Sequence, residues 1–243
     1  MSKAETFRAL HHHRAPGDPL VLPGPWDAAS ARVFAEAGFP ALATPSAGVA
    51  ASLGYADGET PADEMFAAIA RITRAVDIPV SADVEDGYGL APKELVERLL
   101  EAGAVGCNLE DSEHGALKDP RAHADWLAEV RSAAGGDLFV NARIDTFLRG
   151  VTDPERAIER AALYGAAGAD CVYPIGAPTA VLPLLRAGIQ GSVNVYARLD
   201  SDDGEGPSIT ALGELGATRV TFGPGLQRRA AQALGELAAR LRA

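Results

Sequence analysis

A regular alternation between two kinds of sequence segment constrains the fold of this chain more than any other feature. Eight short apolar segments predict strands, and each is followed by an amphipathic segment that predicts a helix. The predicted strands cover residues 19–24, 40–46, 78–85, 105–111, 138–145, 170–176, 191–197 and 218–223. The predicted helices cover residues 27–38, 61–76, 91–103, 119–135, 153–168, 178–188, 208–216 and 224–243.

This alternation favours a parallel sheet with helical crossovers. Eight strand–helix pairs in about 250 residues are typical of the (β/α)8, or TIM, barrel, which is an α/β fold. A doubly wound open sheet is the alternative, but its G-x-G-x-x-G turn is missing from the LPGPWDAAS segment. Because no linker or low-complexity segment divides the chain, we predict a single barrel domain over residues 1–243. Residues 1–18 are predicted to be a helical lead-in, with His11, His12 and His13 as a solvated run.

Composition limits the partners and the compartment. The formal net charge is −11 and the isoelectric point is about 4.9. An acidic chain without a Lys/Arg cluster is not expected to bind nucleic acid or an anionic membrane surface. No segment has the apolar length of a signal peptide or a membrane span, and Cys107 and Cys171 lie in apolar strands where we expect buried free thiols. We therefore expect a cytoplasmic protein that acts on a small molecule.

Polar side chains share one face of four predicted strands. Side chains alternate between the two faces of a strand, and the outer face of a barrel strand packs on helices. The polar set is therefore expected to face the barrel interior. Satisfied polar core residues are the alternative, but this density of charge calls for a counter-ion. The set comprises Ser81, Asp83 and Glu85; Asn108 and Glu110; Asn141, Arg143 and Asp145; and Ser192, Asn194 and Tyr196.

Three acids of this set predict a site for a hard cation. Asp83, Glu85 and Glu110 are oxygen ligands without a neighbouring His or Cys, which favours Mg²⁺ or Mn²⁺ over zinc. Arg143 on the next strand suits a carboxylate or enolate oxygen bound to that metal. A glycosidase pair of carboxylates is the alternative, but only 6% of the chain is aromatic. The pattern therefore predicts a site where a small oxyacid chelates a divalent cation.

Four motifs resemble the isocitrate lyase/phosphoenolpyruvate mutase superfamily, in the right order, over residues 7 to about 226. They read GPWDAASARVFAEAGFPALATPSAGVAASLGYADGE, SADVEDGYG, GAVGCNLEDS and NARIDTFL. The resemblance implies a (β/α)8 barrel, an essential Mg²⁺, and 2-oxo or 2-hydroxy carboxylate substrates that react through an enolate or oxyanion. It also implies that Asp83 is the nearest metal ligand, while Glu85, Glu110 and Asp57 hold metal-bound waters.

The resemblance also assigns substrate contacts. Arg143 is implied to bind the substrate oxyanion, and a polar group from the seventh strand corresponds to Asn194. The WD pair after the first strand is implied to lie near the substrate, and a loop after the second strand is implied to bind the substrate carboxylate. The WD pair corresponds to Trp26 and Asp27. The loop after the second strand corresponds to Ser46 with the backbone amides of Ala47 and Gly48.

The chain departs from the family at its proton-handling residues. The lyase segment K-[KR]-C-G-H is replaced by DSEHGALKDPRAHAD, and the Lys-Thr-Asn-Ser lid of the mutase is also missing. Ile175 stands where the lyases carry Glu and the mutase carries His. The remaining candidates for a general acid or base are His114, Lys118 and Tyr173.

These features predict a Mg²⁺-dependent lyase that cleaves a C–C bond in a small 2-hydroxy or 2-oxo carboxylic acid, with Arg143, Glu110 and His114 as catalytic residues. Three alternatives stay open: an oxaloacetate-type decarboxylase or hydrolase, a phosphonopyruvate or phosphonomutase-type enzyme, and an inactive 2-oxo acid-binding protein. The resemblance implies a homo-oligomer, dimer or tetramer, although the last helix lacks the longer extension found in larger relatives.

Overall fold

The strands of the computed structural model, which describes residues 1–12, 14–199 and 206–242, follow the predicted order. They are β1 (Leu20–Val21), β2 (Leu42–Ala43), β3 (Val80–Asp83), β4 (Gly106–Glu110), β5 (Ser112–Glu113), β6 (Ala116–Leu117), β7 (Phe139–Ile144), β8 (Cys171–Pro174), β9 (Ser192–Tyr196) and β10 (Arg219–Thr221). Eight of these form one parallel sheet in the order β1-β10-β9-β8-β7-β4-β3-β2, while β5 and β6 form a separate antiparallel hairpin.

The two edge strands of this sheet lie next to each other. The Ala43 amide donates a 3.1 Å hydrogen bond to the Pro23 carbonyl, just beyond β1. This contact joins the ends of the curled sheet. The strand order and the parallel pairing confirm the predicted (β/α)8 barrel.

The α-helices of the described residues include all of the predicted ones, with slightly shorter bounds. They are α1 (Lys3–Leu10), α2 (Ala28–Glu36), α3 (Ser46–Leu53), α4 (Ala62–Arg74), α5 (Pro92–Glu101), α6 (Pro120–Ala134), α7 (Pro154–Ala166), α8 (Leu182–Gly188), α9 (Ile209–Glu214) and α10 (Gly225–Arg242). The last residue of the helix predicted over 224–243 lies outside the described residues. Across those residues, no helix combines the length and apolarity needed to span a bilayer.

Helix α3 and the β5–β6 hairpin were not predicted. Helix α3 begins after Pro45 without a side-chain hydrogen bond to cap it, and it ends at Gly54 in the left-handed conformation. The sequence therefore lacks the Ser or Asp signal that usually marks a helix start. The hairpin has two-residue strands, which are too short to show a period of two.

The barrel strands alternate as expected. Val80, Ala82, Cys107 and Leu109 belong to the main core that includes residues of the surrounding helices. Polar residues on the same strands face inward, and a smaller apolar cluster fills the interior near the N-terminal ends of the strands. This cluster contains Phe7, Leu20, Leu22, Ala41, Ala43, Phe139 and Cys171. Both cysteines are free and buried, as predicted.

The N-terminal lead-in closes that end of the barrel. Phe7 of α1 is fully buried and packs edge-on against Phe139. His11 is only 4% exposed, stacks on Phe139 and lies 2.8 Å from the Phe7 carbonyl through Nδ1. Burial lowers its pKa to about 3. The prediction of a solvated histidine run is therefore wrong for His11, and His13 lies outside the described residues.

Candidate active site

A cavity of about 640 Å³ opens at the C-terminal ends of the barrel strands. Active sites of TIM barrels lie at this end, because the loops that follow the strands meet there. Six of the residues predicted to bind metal or substrate line the cavity: Ser46, Ala47, Asp57, Asp83, Arg143 and Tyr173. Strand alternation alone predicts Asp83 and Arg143 at this mouth, whereas Glu85 and Glu110, predicted in the same way, do not line the cavity.

Asp83 is the innermost acid of the site. It is 9% exposed, and it accepts hydrogen bonds from the Ser46 hydroxyl at 3.1 Å and from the Glu85 amide at 3.3 Å. The Asp83 amide donates to the Thr44 hydroxyl at 3.1 Å, which fixes the end of β3. Burial raises the pKa of Asp83, and the charge of Arg143 only partly offsets that effect.

The backbone conformation of Glu85 differs from the extended one that was predicted. Strand β3 ends at Asp83, and Glu85 has a φ of +53°, in the left-handed region. Strand alternation therefore does not set its direction. Burial, followed by the nearby charges of Asp83 and Asp57, raises the Glu85 pKa to about 7. Its Oε1 atom is buried without a hydrogen-bond partner in the described part of the chain.

Glu110 lies at the end of β4. Burial raises its pKa to about 8 although Arg143 lowers it, and the carboxylates of Asp83, Asp145 and Glu85 raise it further. The charge of Asp83 raises the pKa values of both Glu85 and Glu110, and such a concentration of carboxylates creates a demand for positive charge. A set of carboxylate oxygens with no neighbouring His or Cys ligand suits Mg²⁺ or Mn²⁺.

The arrangement does not form a closed protein cage for a metal. Among residues 1–12, 14–199 and 206–242, no group of three or more His, Cys, Asp or Glu is placed to hold an ion directly. Mg²⁺ commonly keeps several waters and takes one or two carboxylates directly. Asp83 fits a direct ligand, and Glu85, Glu110 and the exposed Asp57 fit holders of waters.

Arg143 is fixed by carboxylates on both sides. Its Nη1 donates to Glu110 Oε1 at 2.6 Å, and Nε and Nη2 donate to the two oxygens of Asp145 at 2.7 and 3.1 Å. A guanidinium has five N–H donors. These three bonds leave two donors for a ligand in the cavity, which Arg143 lines.

A buried network that the sequence did not reveal supports Asp145. The Ser112 hydroxyl donates to Asp145 at the base of the hairpin. Asp111 is fully buried and accepts from the Asp145 amide at 2.8 Å, from the Tyr164 hydroxyl at 2.8 Å and from Arg160 Nη1 at 2.9 Å. The network ties the hairpin, α7 and the arginine-bearing strand together.

The predicted carboxylate-binding loop is the first turn of a helix. Ser46, Ala47 and Gly48 are the first three residues of α3. The first N–H groups of a helix have no partner within it, and the helix dipole favours an anion there. The Ser46 amide already lies 3.4 Å from an Asp83 oxygen. Gly48 itself does not line the cavity.

Several other predicted residues lie away from the cavity. Asp27 caps α2 by accepting from the Ser30 amide at 2.7 Å, and Trp26 packs on Phe34. His114 is exposed at the tip of the hairpin, with a φ of +48°. Asn194 is buried below the mouth and accepts from the Thr221 hydroxyl at 3.3 Å. The substrate, metal and catalytic roles of these four residues, like those of the other predicted site residues, stay predictions.

The fold and the site define a TIM barrel with an acidic mouth and one anchored arginine. The chain matches the family model of phosphoenolpyruvate phosphomutase over residues 7–242. It therefore belongs to the phosphoenolpyruvate mutase family, within the isocitrate lyase/phosphoenolpyruvate mutase superfamily.

Individual relatives agree with this assignment. An uncharacterized protein of Mycobacterium tuberculosis H37Rv is 36% identical over 220 residues, covering 90% of this chain and 81% of that protein. The 2-methylisocitrate lyase of Aeropyrum pernix is 34% identical over 171 residues, covering 65% of this chain and 54% of the enzyme. The solved structure of a phosphonomutase candidate from Burkholderia cenocepacia J2315 is 40% identical, covers 98% of each chain and has a TM-score of 0.88.

More distant solved structures share the fold. They include oxaloacetate acetylhydrolase with oxalate, phosphonopyruvate hydrolase with oxalate and Mg²⁺, and 2,3-dimethylmalate lyase. Their identities to this chain are 24%, 22% and 24%, and their TM-scores are 0.87, 0.84 and 0.84.

Proposed function

We propose that this protein is a Mg²⁺-dependent lyase that cleaves a C–C bond in a small 2-hydroxy or 2-oxo carboxylic acid. The observation that carries the proposal is the cluster of Asp83, Glu85 and Glu110 beside Arg143 at the mouth of the barrel. Asp83 is buried, Glu85 and Glu110 are half-buried, and burial raises the pKa values of all three. Asp83 would hold the cation, which would supply a Lewis acid for the substrate oxyanion; Mn²⁺ is the alternative ion.

The residues of the chain orient the substrate and stabilise charge. Arg143 has two free donors for the oxyanion that develops as the bond breaks, and Asp145 and Glu110 hold it in place. The first amides of α3 are placed to bind the substrate carboxylate. Because these donors are fixed before the reaction, they need no reorganisation as the charge forms.

Tyr173 is the proton donor that the cavity supports best. Its side chain is buried and lines the cavity, and its hydroxyl oxygen lies 3.5 Å from the Thr221 hydroxyl. Burial raises the pKa of Tyr173, so its hydroxyl stays protonated at neutral pH. It is suited to deliver a proton to an enolate carbon and unsuited to act as a base.

Decarboxylation or hydrolysis of an oxaloacetate-type acid is the second candidate reaction. Neither Cys107 nor Cys171 lines the cavity, and His114 lies at the exposed tip of the hairpin. Decarboxylation needs less proton-handling apparatus than cleavage by retro-aldol chemistry, because CO₂ leaves without a base.

We further propose a homo-oligomer in which α10 packs against a second copy of the chain. From Arg228 onward, the described residues of this helix are exposed. Leu234, Leu237 and Leu241 are 67%, 45% and 80% exposed and share a face at helical spacing. A second copy would cover this face.

A substrate panel tests the proposed reaction. The protein is incubated with Mg²⁺ or Mn²⁺ and with oxaloacetate, 2-methylisocitrate, 2,3-dimethylmalate or phosphonopyruvate, while carbonyl product, CO₂ and phosphate are followed separately. We expect a metal-dependent carbonyl product from a hydroxy acid. Release of CO₂ alone from oxaloacetate would reject the lyase, and phosphate release would favour phosphonate chemistry.

A further inference from the structure

Asn108 lies on the floor of the cavity, and the proposed function assigns it no role. In the register of the sheet it stands between Asp83 of β3 and Asn141 of β7. Asn108 is only 6% exposed, and it lines the cavity. Arg143 follows Asn141 by two residues, on the same face of β7. Asn108 is therefore placed between the proposed cation ligand and the anchored arginine.

Arg219 reaches Asn108 from the opposite side of the barrel. Strands β10 and β4 are four strands apart in both directions around the closed sheet. The Arg219 side chain is fully buried, and its Nη2 donates to Asn108 Oδ1 at 3.4 Å. The Nε and Nη1 atoms have no hydrogen-bond partner among the described residues. Arg219 does not line the cavity, so its positive charge lies in the barrel interior below the cavity floor.

This contact determines which end of the Asn108 amide faces the cavity. A guanidinium carries donors and no acceptor, so the atom of Asn108 beside Arg219 has to be the oxygen. Asn141 Nδ2 donates to the same oxygen at 2.7 Å. The Nδ2 atom of Asn108 is then the free end of the amide. It is not fully buried and makes no hydrogen bond within the described residues, so its N–H groups are available to a ligand.

We propose that Asn108 is a substrate-binding residue whose Nδ2 donates to an acceptor oxygen at the reacting end of the substrate, and that Arg219 is the positioning residue that orients this amide. The inference rests on the proposed function and adds a donor to its site. Because the amide oxygen accepts from a charged donor, the amide is polarised and its N–H group becomes a stronger donor. The floor therefore favours a carbonyl or carboxylate oxygen at this point over an amino group.

A crystal structure of the wild type with Mg²⁺ and oxalate tests the contact. We expect an oxalate oxygen within about 3.2 Å of Asn108 Nδ2, with Arg219 at the amide oxygen. A nearest oxalate oxygen more than about 4 Å from Nδ2 overturns the inference. That outcome leaves the proposed function standing, because the cation and Arg143 still account for binding of the ligand.

Calorimetric dissociation constants for oxalate with Mg²⁺ measure what each residue contributes. Asn108→Leu should weaken binding roughly tenfold, because a hydrogen bond to a charged ligand is lost. Arg219→Met should weaken it to a similar extent, whereas Arg219→Lys, which keeps a cationic donor, should restore part of the affinity. The control Ser81→Ala removes a buried hydroxyl of the barrel interior that does not line the cavity, and it should bind oxalate as the wild type does.

The double variant shows whether Arg219 acts through Asn108. In the Asn108→Leu background, Arg219→Met should cause no further loss of affinity. A further loss as large as in the wild type overturns the positioning role, and wild-type affinity in Asn108→Leu overturns the contact. If a variant fails to fold, as judged by circular dichroism, the wild-type crystal structure decides alone. If the wild type does not bind oxalate with Mg²⁺, the proposed function is wrong and the inference falls with it.

Discussion

Arg143 and Glu110 are register partners on the neighbouring strands β7 and β4, and their side chains meet at 2.6 Å. The pairing holds the guanidinium of Arg143 against the carboxylate of Glu110, which belongs to the acidic cluster. Asp145 holds the other edge of the same guanidinium. Arg143 is therefore positioned before any ligand arrives, and its remaining donors face the cavity.

Arg143→Lys should reduce turnover at least 100-fold. An ammonium group cannot reproduce the planar fork that contacts Glu110 and Asp145 and leaves two donors free. Steady-state kinetics on the substrate accepted by the wild type measures the effect. Arg71→Lys, at an exposed position of α4 outside the cavity lining, is the control, and turnover within threefold of wild type in Arg143→Lys would contradict the role assigned to Arg143.

The metal-free protein should lose stability as the pH rises. The pKa values of Glu85 and Glu110 are raised from 4.5 to about 7 and about 8. Between pH 4.5 and about pH 8, the folded state therefore binds more protons than the unfolded state. The free energy of unfolding falls as the pH rises across that window. Thermal unfolding in EDTA should show a lower Tm at pH 8.5 than at pH 6.

Excess Mg²⁺ should remove most of this pH dependence, because a cation offsets the charge of the ionised acids. The stabilisation by Mg²⁺ should therefore grow from pH 6 to pH 8.5. Glu110→Gln should flatten the slope seen in EDTA. A Tm in EDTA that stays level or rises over this range would show that the acids are not held protonated.

Asp111→Ala should destabilise the fold by about 3 kcal/mol, because Arg160 and the Tyr164 hydroxyl would lose a buried carboxylate partner. Urea unfolding measures the change. Asp125→Ala, at an exposed position of α6, is the control and should change stability by less than about 0.5 kcal/mol. A similar small change in Asp111→Ala would mean that the network is not a structural support.

Leu237→Glu should dissociate the proposed oligomer, because it places a charge on the apolar face of α10. Light scattering after size exclusion gives the mass of each species. Ala239→Glu, on another face of the same helix, should leave the assembly intact. A wild type that is monomeric at micromolar concentration would contradict the proposed role of α10.

The barrel was predictable from sequence because strand alternation and helix signals repeat eight times and agree with one another. The same alternation placed Asp83, Asn108, Glu110 and Arg143 on the inner face. Their positions depend only on a period of two within strands that are buried on both sides.

The prediction failed where backbone conformation departs from regular structure. Glu85 turns into the left-handed region just after β3, so alternation did not describe it. Asp27 caps α2, which the sequence did not indicate, and the substrate role predicted for it stays a prediction. The support of Arg143 by Asp145, Ser112 and Asp111 joins separate parts of the chain. No local pattern reports such contacts, since they form only when the barrel closes.

The most direct test of the account is calorimetric binding of oxalate to the wild type and to Asp83→Ala, with and without Mg²⁺. The account predicts that the wild type binds oxalate only when Mg²⁺ is present and that Asp83→Ala does not bind it in either condition, while a circular dichroism spectrum shows the variant folded. Mg²⁺-dependent binding of equal affinity in Asp83→Ala, or binding by the wild type that ignores Mg²⁺, would contradict the proposed metal site.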